Sequence, residues 1–153
     1  MFKFLKKTFV SLSIRNYRLF FWGQLLSLIG TWIQRTTMSW FVYRLTNSAM
    51  ILGLVTFLSM IPSVFISPFV GAMADRWNRH QAIIYTQIAF FVQNTILAIL
   101  VLSNVISKDF VLPIFILALM QGIIEAVDSP VRQALLIDLV GDKKMLPNAI
   151  ATN

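Results

Sequence analysis

The amino-acid sequence predicts an all-α integral membrane protein with four spanning helices, and two observations carry that expectation. Hydrophobic residues make up 58% of the chain and charged residues only 12%, with a mean hydropathy of +0.76. A soluble domain of this size has no use for so much apolar surface. The apolar residues are also gathered into four runs separated by short polar breaks, and each run reaches the roughly 20 residues that a helix needs to cross the hydrocarbon core. Buried helices of soluble proteins are seldom this long.

Residues 1–17 form a basic segment in which Phe2, Leu5, Phe9 and Leu12 recur at helical spacing opposite Lys3, Lys6 and Lys7. That pattern suits a short amphipathic helix lying on the membrane surface, although a solvated basic tail fits the composition too. The first span is expected over residues 18–44. A basic start before an apolar run is also how a secretory signal begins, but this run is too long, holds Arg35 and lacks a small-residue cleavage pattern, so it reads as an uncleaved helix. The second span covers residues 46–74 and the third residues 81–107, and neither contains a charged residue. Pro62 and Pro68 are expected to bend the second, with serine hydroxyls satisfying the carbonyls they free. Ser59, Ser63, Ser67 and Gly71 stand four apart there, a stripe of small residues that allows close helix packing. Gln87, Gln93 and Asn94 in the third read as interhelical hydrogen-bond donors. The fourth span covers residues 110–139.

Orientation follows from Lys and Arg, which short cytoplasmic segments retain in excess. Lys3, Lys6, Lys7, Arg15 and Arg18 precede the first span, Arg76 and Arg79 follow the second, and Lys143 and Lys144 follow the fourth, whereas the opposite side holds only Arg44 and Lys108. Both termini and the 75–80 loop are therefore expected in the cytoplasm of a multi-pass cell-membrane protein, in a bacterium the inner membrane. The net charge of +7 then serves topology and anionic lipid head groups, and leaves little for nucleic acid. No cysteine is present, so disulfides and thiolate metal sites are excluded. The single histidine, His80, has no ligand partners at metal spacing; neither a metal nor a cofactor is expected.

Chemistry concentrates on the fourth span. Gln121, Glu125, Asp128 and Arg132 are spaced i, i+4, i+7 and i+11, which puts all four on one face of an α-helix. Each charge near the bilayer centre costs roughly 2.5–3.5 kcal/mol, so with Arg35 the sum is on the order of 10 kcal/mol, comparable to the stability of a whole domain. Such a face lines a wet cavity or meets partners. Arg35, preceded by Gln34, differs in depth from Glu125 by roughly 8 Å at 1.5 Å per residue, within reach of the two side chains if their helices are neighbours. The alternative is that Arg35 snorkels or pairs elsewhere. Arg132 reaches Asp128 one turn away, while the positions one turn from Glu125 carry no cation, which makes Glu125 the candidate proton carrier. Pro130 is expected to kink the helix between Asp128 and Arg132. No serine-histidine, paired-aspartate or zinc constellation suggests an enzyme.

The ten residues from Gly71 to His80, with Asp75, Arg76, Asn78 and Arg79 between them, resemble the signature loop of the major facilitator superfamily, Gly-x-x-x-Asp-Arg-x-Gly-Arg-Arg/Lys, which joins its second and third helices. Arg15-Asn16-Tyr17-Arg18-Leu19-Phe20, Gly23-Gln24, Gly30-Thr31-Trp32-Ile33-Gln34, Asp128-Ser129-Pro130-Val131-Arg132-Gln133-Ala134 and Leu146-Pro147-Asn148-Ala149-Ile150 extend the resemblance to the exporter branch that includes siderophore exporters and macrolide efflux pumps. The resemblance implies the first third of a twelve-helix fold built from three-helix inverted repeats, with the first and fourth helices equivalent and lining the cavity. It also implies a conformational latch in which Asp75 and Arg79, beside Arg76, cluster with Asp138, while Gly71 lets another backbone approach. Two positions depart from the pattern: Asn78 replaces a glycine, where asparagine is expected to tolerate a left-handed turn, and His80 replaces a fixed cation.

The expected function is that of the N-terminal part of a secondary active transporter, a proton-coupled exporter (an antiporter) of small amphipathic molecules such as drugs or siderophores. Its partners are expected to be membrane lipid, a small-molecule substrate of the full-length parent, and the C-terminal helices that a chain ending at Asn153 lacks. The alternative, from another class, is a truncated membrane protein that binds a full-length relative without transporting.

Overall fold

The computed structural model describes residues 15–73, 77–108 and 110–140, with side chains described from residue 18 to residue 137. The amphipathic segment before residue 15, Asp75, Arg76, the side chain of Asp138 and the lead-in after residue 140 lie outside the described residues. Among the described residues four helices follow one another: α1 (Arg15–Thr46), α2 (Ala49–Met73), α3 (Arg79–Leu102) and α4 (Leu112–Val140).

Three of them, Ala49–Met73, Arg79–Leu102 and Leu112–Ile137, are long and apolar enough to cross a membrane on length and composition alone. The first helix has the length, at 32 residues, but Gln24, Gln34 and Arg35 dilute its apolar run. The connections explain where each helix stops. Between α1 and α2 the chain needs only Asn47 and Ser48. Asn47 takes the left-handed conformation, φ 50°, and its N–H returns to the Tyr43 carbonyl at 2.8 Å. Ser48 Oγ accepts from the Ile51 N–H and so opens α2. Asparagine is one of the few side chains that adopt this backbone readily. A second such asparagine, Asn104, φ 55°, closes α3 after Ser103, and for that reason α3 ends at Leu102 and does not run on to residue 107.

The chain falls into two compact units, Met1–Thr36 with Gln133–Asn153, and Thr37–Arg132. In the first, Leu19, Trp22, Leu26, Trp32 and Ile33 of α1 are exposed, the surface expected of a helix solvated by lipid. The second holds a core of Met38 and Val42 from α1, Val55 from α2, Ile106 from the α3–α4 connection, and Ile114 and Ala118 from α4. This core sits at the end of the unit where α1 turns into α2 and α3 leads into α4. Arg44 closes that end of α1 by stacking its guanidinium over Trp40, 4.9 Å from the ring centre, an arrangement suited to the membrane interface.

Within this unit α2 and α4 approach unusually closely. A Cβ built on Gly122 would lie 2.3 Å from the Ser59 carbonyl oxygen, so only glycine admits the crossing. The small-residue stripe of α2 is therefore a packing surface at Ser59 and at Ser67. At Gly71 a Cβ would meet nothing within 4 Å among the described residues.

Candidate functional site

The polar face of α4 divides into two clusters. Towards its middle, Gln121 is buried and its amide Nε2 donates to Glu125 Oε1 at 3.1 Å; Glu125 itself is half-buried. One turn further on, Asp128 is 8% exposed and collects donors from two helices. Arg132 Nε bonds its Oδ2 from one turn below. Thr86 Oγ1 of α3 bonds its Oδ1, and Gln87 Nε2 approaches the same oxygen at 3.4 Å. A carboxylate with a guanidinium, a hydroxyl and an amide around it has its charge compensated and its lone pairs occupied, which is the condition for keeping an ion in a low-dielectric interior.

The sequence anticipated the Asp128–Arg132 pair from its spacing and missed Thr86. A signal existed: Thr86 and Gln93 lie seven apart on one stripe of α3 and both are buried. Gln93 is 1% exposed, and its Nε2 reaches the Leu117 carbonyl of α4 at 3.5 Å. Gln87 and Gln93 are thus the interhelical donors that their composition suggested, both directed at α4.

Pro130 lies inside α4, so the carbonyl of Ala126, four residues before it, loses its helical N–H partner. Ser67 Oγ of α2 donates to that carbonyl at 3.2 Å. The sequence expected serines to serve the prolines of their own helix. The structure instead has a serine of α2 serving the proline of α4, because Ser67 faces α4 across the close crossing. Ser59 Oγ bonds back to the Thr56 carbonyl at 2.7 Å.

The other expected site residues are distributed differently. Gln34 is half-buried and Arg35 exposed; both belong to the first compact unit, whereas Glu125 belongs to the second. Of the latch residues, Arg79 is half-buried at the first position of α3. Asn78 does not adopt the left-handed turn expected of a glycine replacement. It is extended, φ −72° and ψ 96°, and its side chain accepts from the Gln81 N–H at 3.3 Å. The substitution gives α3 an N-cap that glycine lacks, and capping favours the extended conformation.

Helices long and apolar enough to cross a membrane, with Gln121 and Asp128 buried on the last of them, define a multi-pass membrane protein. The chain belongs to the major facilitator superfamily of transporters: residues 6–153 match the family described as transmembrane secretion effector. It is 33% identical over 132 residues to the staphyloferrin A transporter of Staphylococcus aureus (strain NCTC 8325 / PS 47), a match that covers 86% of this chain and 32% of that protein. The chain thus spans about a third of the length of the curated relative it matches. No solved structure matches it.

Proposed function

We propose that the chain is the N-terminal part of a secondary active exporter of small amphipathic molecules, coupled to protons through Glu125. The observation that carries the reading is the polar face of α4, in which two carboxylates sit in different surroundings. Asp128 is bound into an ion pair with Arg132 and bridged to α3, so losing its charge disrupts a structural junction. Glu125 accepts an amide hydrogen bond on one oxygen, and a carboxylic acid protonated on the other oxygen keeps that bond. Glu125 can therefore change its charge without dismantling its contact with Gln121, as a proton carrier must. Arg35 is proposed as its partner in one state of the transport cycle, with Gln34 beside it on the cavity wall. The likeness to a staphyloferrin A transporter supports a siderophore-type cargo for the whole protein.

The test is a chimera in which this chain replaces the matching segment of the staphyloferrin A transporter, assayed in vesicles for gradient-driven movement of staphyloferrin A. The chimera is expected to transport, Glu125→Gln to abolish accumulation against a gradient while leaving substrate binding intact, and Arg35→Ala to change the pH dependence. Normal gradient-driven transport by Glu125→Gln would refute the coupling role. A chimera that inserts fully and moves nothing would favour a chain that acts only by binding a relative.

A further inference from the structure

The fourth helix runs unbroken from Leu112 to Val140 through Pro130, although the proline withholds one backbone hydrogen bond and its ring crowds the carbonyl four residues earlier. A helix in that condition bends at the proline unless neighbouring groups hold it. Contacts from two other helices meet at this break. Asp128 stands two residues before Pro130 and Arg132 two residues after it, so their ion pair spans the missing hydrogen bond. Asp128 is in turn fixed to α3, where Thr86 Oγ1 bonds its Oδ1 and Gln87 Nε2 approaches the same oxygen at 3.4 Å. From α2, Ser67 Oγ donates to the freed Ala126 carbonyl at 3.2 Å.

The two sides of the proline are held differently. Before it, Gly122 lies against the backbone of Ser59, where a Cβ would come within 2.3 Å of the carbonyl oxygen, and Gln93 Nε2 reaches the Leu117 carbonyl. Those contacts fix this part of α4 to α2 and α3 by backbone approach and by directed polar bonds. Beyond the proline, Val131 and Leu136 are buried apolar side chains, and apolar burial has no preferred direction. The compact unit that contains Asp128 and Pro130 also ends at Arg132, inside the helix. We infer that Pro130 is a hinge held closed and that the Asp128–Arg132 pair is its clasp. With the pair made, α4 keeps one conformation across the proline; with the pair opened, the segment from Val131 onward bends while the segment before it stays fixed to α2 and α3. Ser67 is a second, weaker catch on the same break. The inference rests on the geometry of the helix and not on proton coupling through Glu125, so the two fail separately.

The chain has no cysteine, so Leu119→Cys and Ile137→Cys, both exposed positions of α4, can carry a pair of nitroxide labels on the full chain in phospholipid nanodiscs. They stand about five turns apart on the same face as Ala126 and Pro130, about 27 Å along the axis, so a bend at the proline changes their separation. Pulsed dipolar resonance is expected to give one narrow distance distribution while the clasp is intact. The double substitution Asp128→Asn, Arg132→Met removes the pair without stranding either charge, and should add a second population displaced by about 3 Å, as a bend of about 20° requires for labels roughly 10 Å off the axis. Ser67→Ala should add a smaller one. Pro130→Ala, placed in the Asp128→Asn, Arg132→Met chain, restores the backbone hydrogen bond and should return a single narrow distribution. Thr95→Val, which removes a hydroxyl bonded within α3, should change nothing. Circular dichroism of each variant establishes that helix content is retained. One unchanged distribution in the Asp128→Asn, Arg132→Met chain, a broad distribution with the clasp intact, or a second population that survives Pro130→Ala would overturn the hinge.

Discussion

At the scale of single residues, the two carboxylates of α4 respond to opposite demands. Asp128 accepts from Arg132, Thr86 and Gln87, and neutralising it leaves a guanidinium in a low-dielectric setting without its counter-charge. Breaking such a pair from one side costs about 3 kcal/mol or more. Thr86→Val removes one hydrogen bond and little volume, and interhelical hydrogen bonds within membranes contribute about 0.6 kcal/mol on average and up to about 1.7. Asp128→Asn is therefore expected to lower folded yield and denaturant resistance sharply, Thr86→Val by about 1 kcal/mol, and Glu125→Gln, which keeps an acceptor for the Gln121 amide, less than Asp128→Asn. Unfolding of each purified variant by titration with a denaturing detergent measures the order. A Glu125→Gln chain less stable than Asp128→Asn would invert the roles assigned to the two acids.

At the scale of elements, the junction of α2 and α4 depends on what each helix omits. Gly122 omits a side chain, and the Ser59 carbonyl occupies the space. Pro130 omits an N–H, and Ser67 supplies the hydrogen that the Ala126 carbonyl lacks. Gly122→Ala must push two backbones apart, with an expected loss of roughly 1–3 kcal/mol, and Ser67→Ala about 1 kcal/mol. Because both act on one crossing, the double variant should lose less than the sum, and a thermal-unfolding cycle of the four chains detects that coupling. Strict additivity would mean that the two contacts are independent. Much of this level was legible beforehand. Apolar run length located the helices, and the spacing of Gln121, Glu125, Asp128 and Arg132 identified their shared face, since both depend only on local periodicity. What escaped was pairing across helices: the choice of Thr86 for Asp128, and of Ser67 for the carbonyl freed by Pro130, depends on which faces meet. Asn78 escaped for a different reason. A family pattern with glycine suggested left-handed backbone, yet an asparagine directly before a helix gains more by capping it.

At the scale of the whole molecule, the loop between α2 and α3 bears on both conformation and orientation. Asp75 is proposed to stabilise one state of the transporter without touching cargo, so in the chimera Asp75→Asn should cripple transport while membrane insertion stays normal, because removing the charge biases a two-state equilibrium. Normal transport by well-inserted protein would dismiss the latch. Orientation rests on charge asymmetry. Lys3, Lys6, Lys7, Arg15, Arg18, Arg76, Arg79, Lys143 and Lys144 fall on one side of the four expected spans, against Arg44 and Lys108 on the other. Arg44 is held over Trp40 at the end of α1, and Lys108 lies in the connection that precedes α4. With so large a difference confined to short segments, the basic side is expected to remain in the cytoplasm. The chain has no cysteine, so His80→Cys and Lys108→Cys each introduce a single thiol on opposite sides. A membrane-impermeant maleimide added outside intact cells is expected to label Lys108→Cys and to leave His80→Cys untouched until the membrane is opened. Labelling of His80→Cys alone in intact cells would reverse the orientation, and with it the side on which both termini and the 75–80 loop lie.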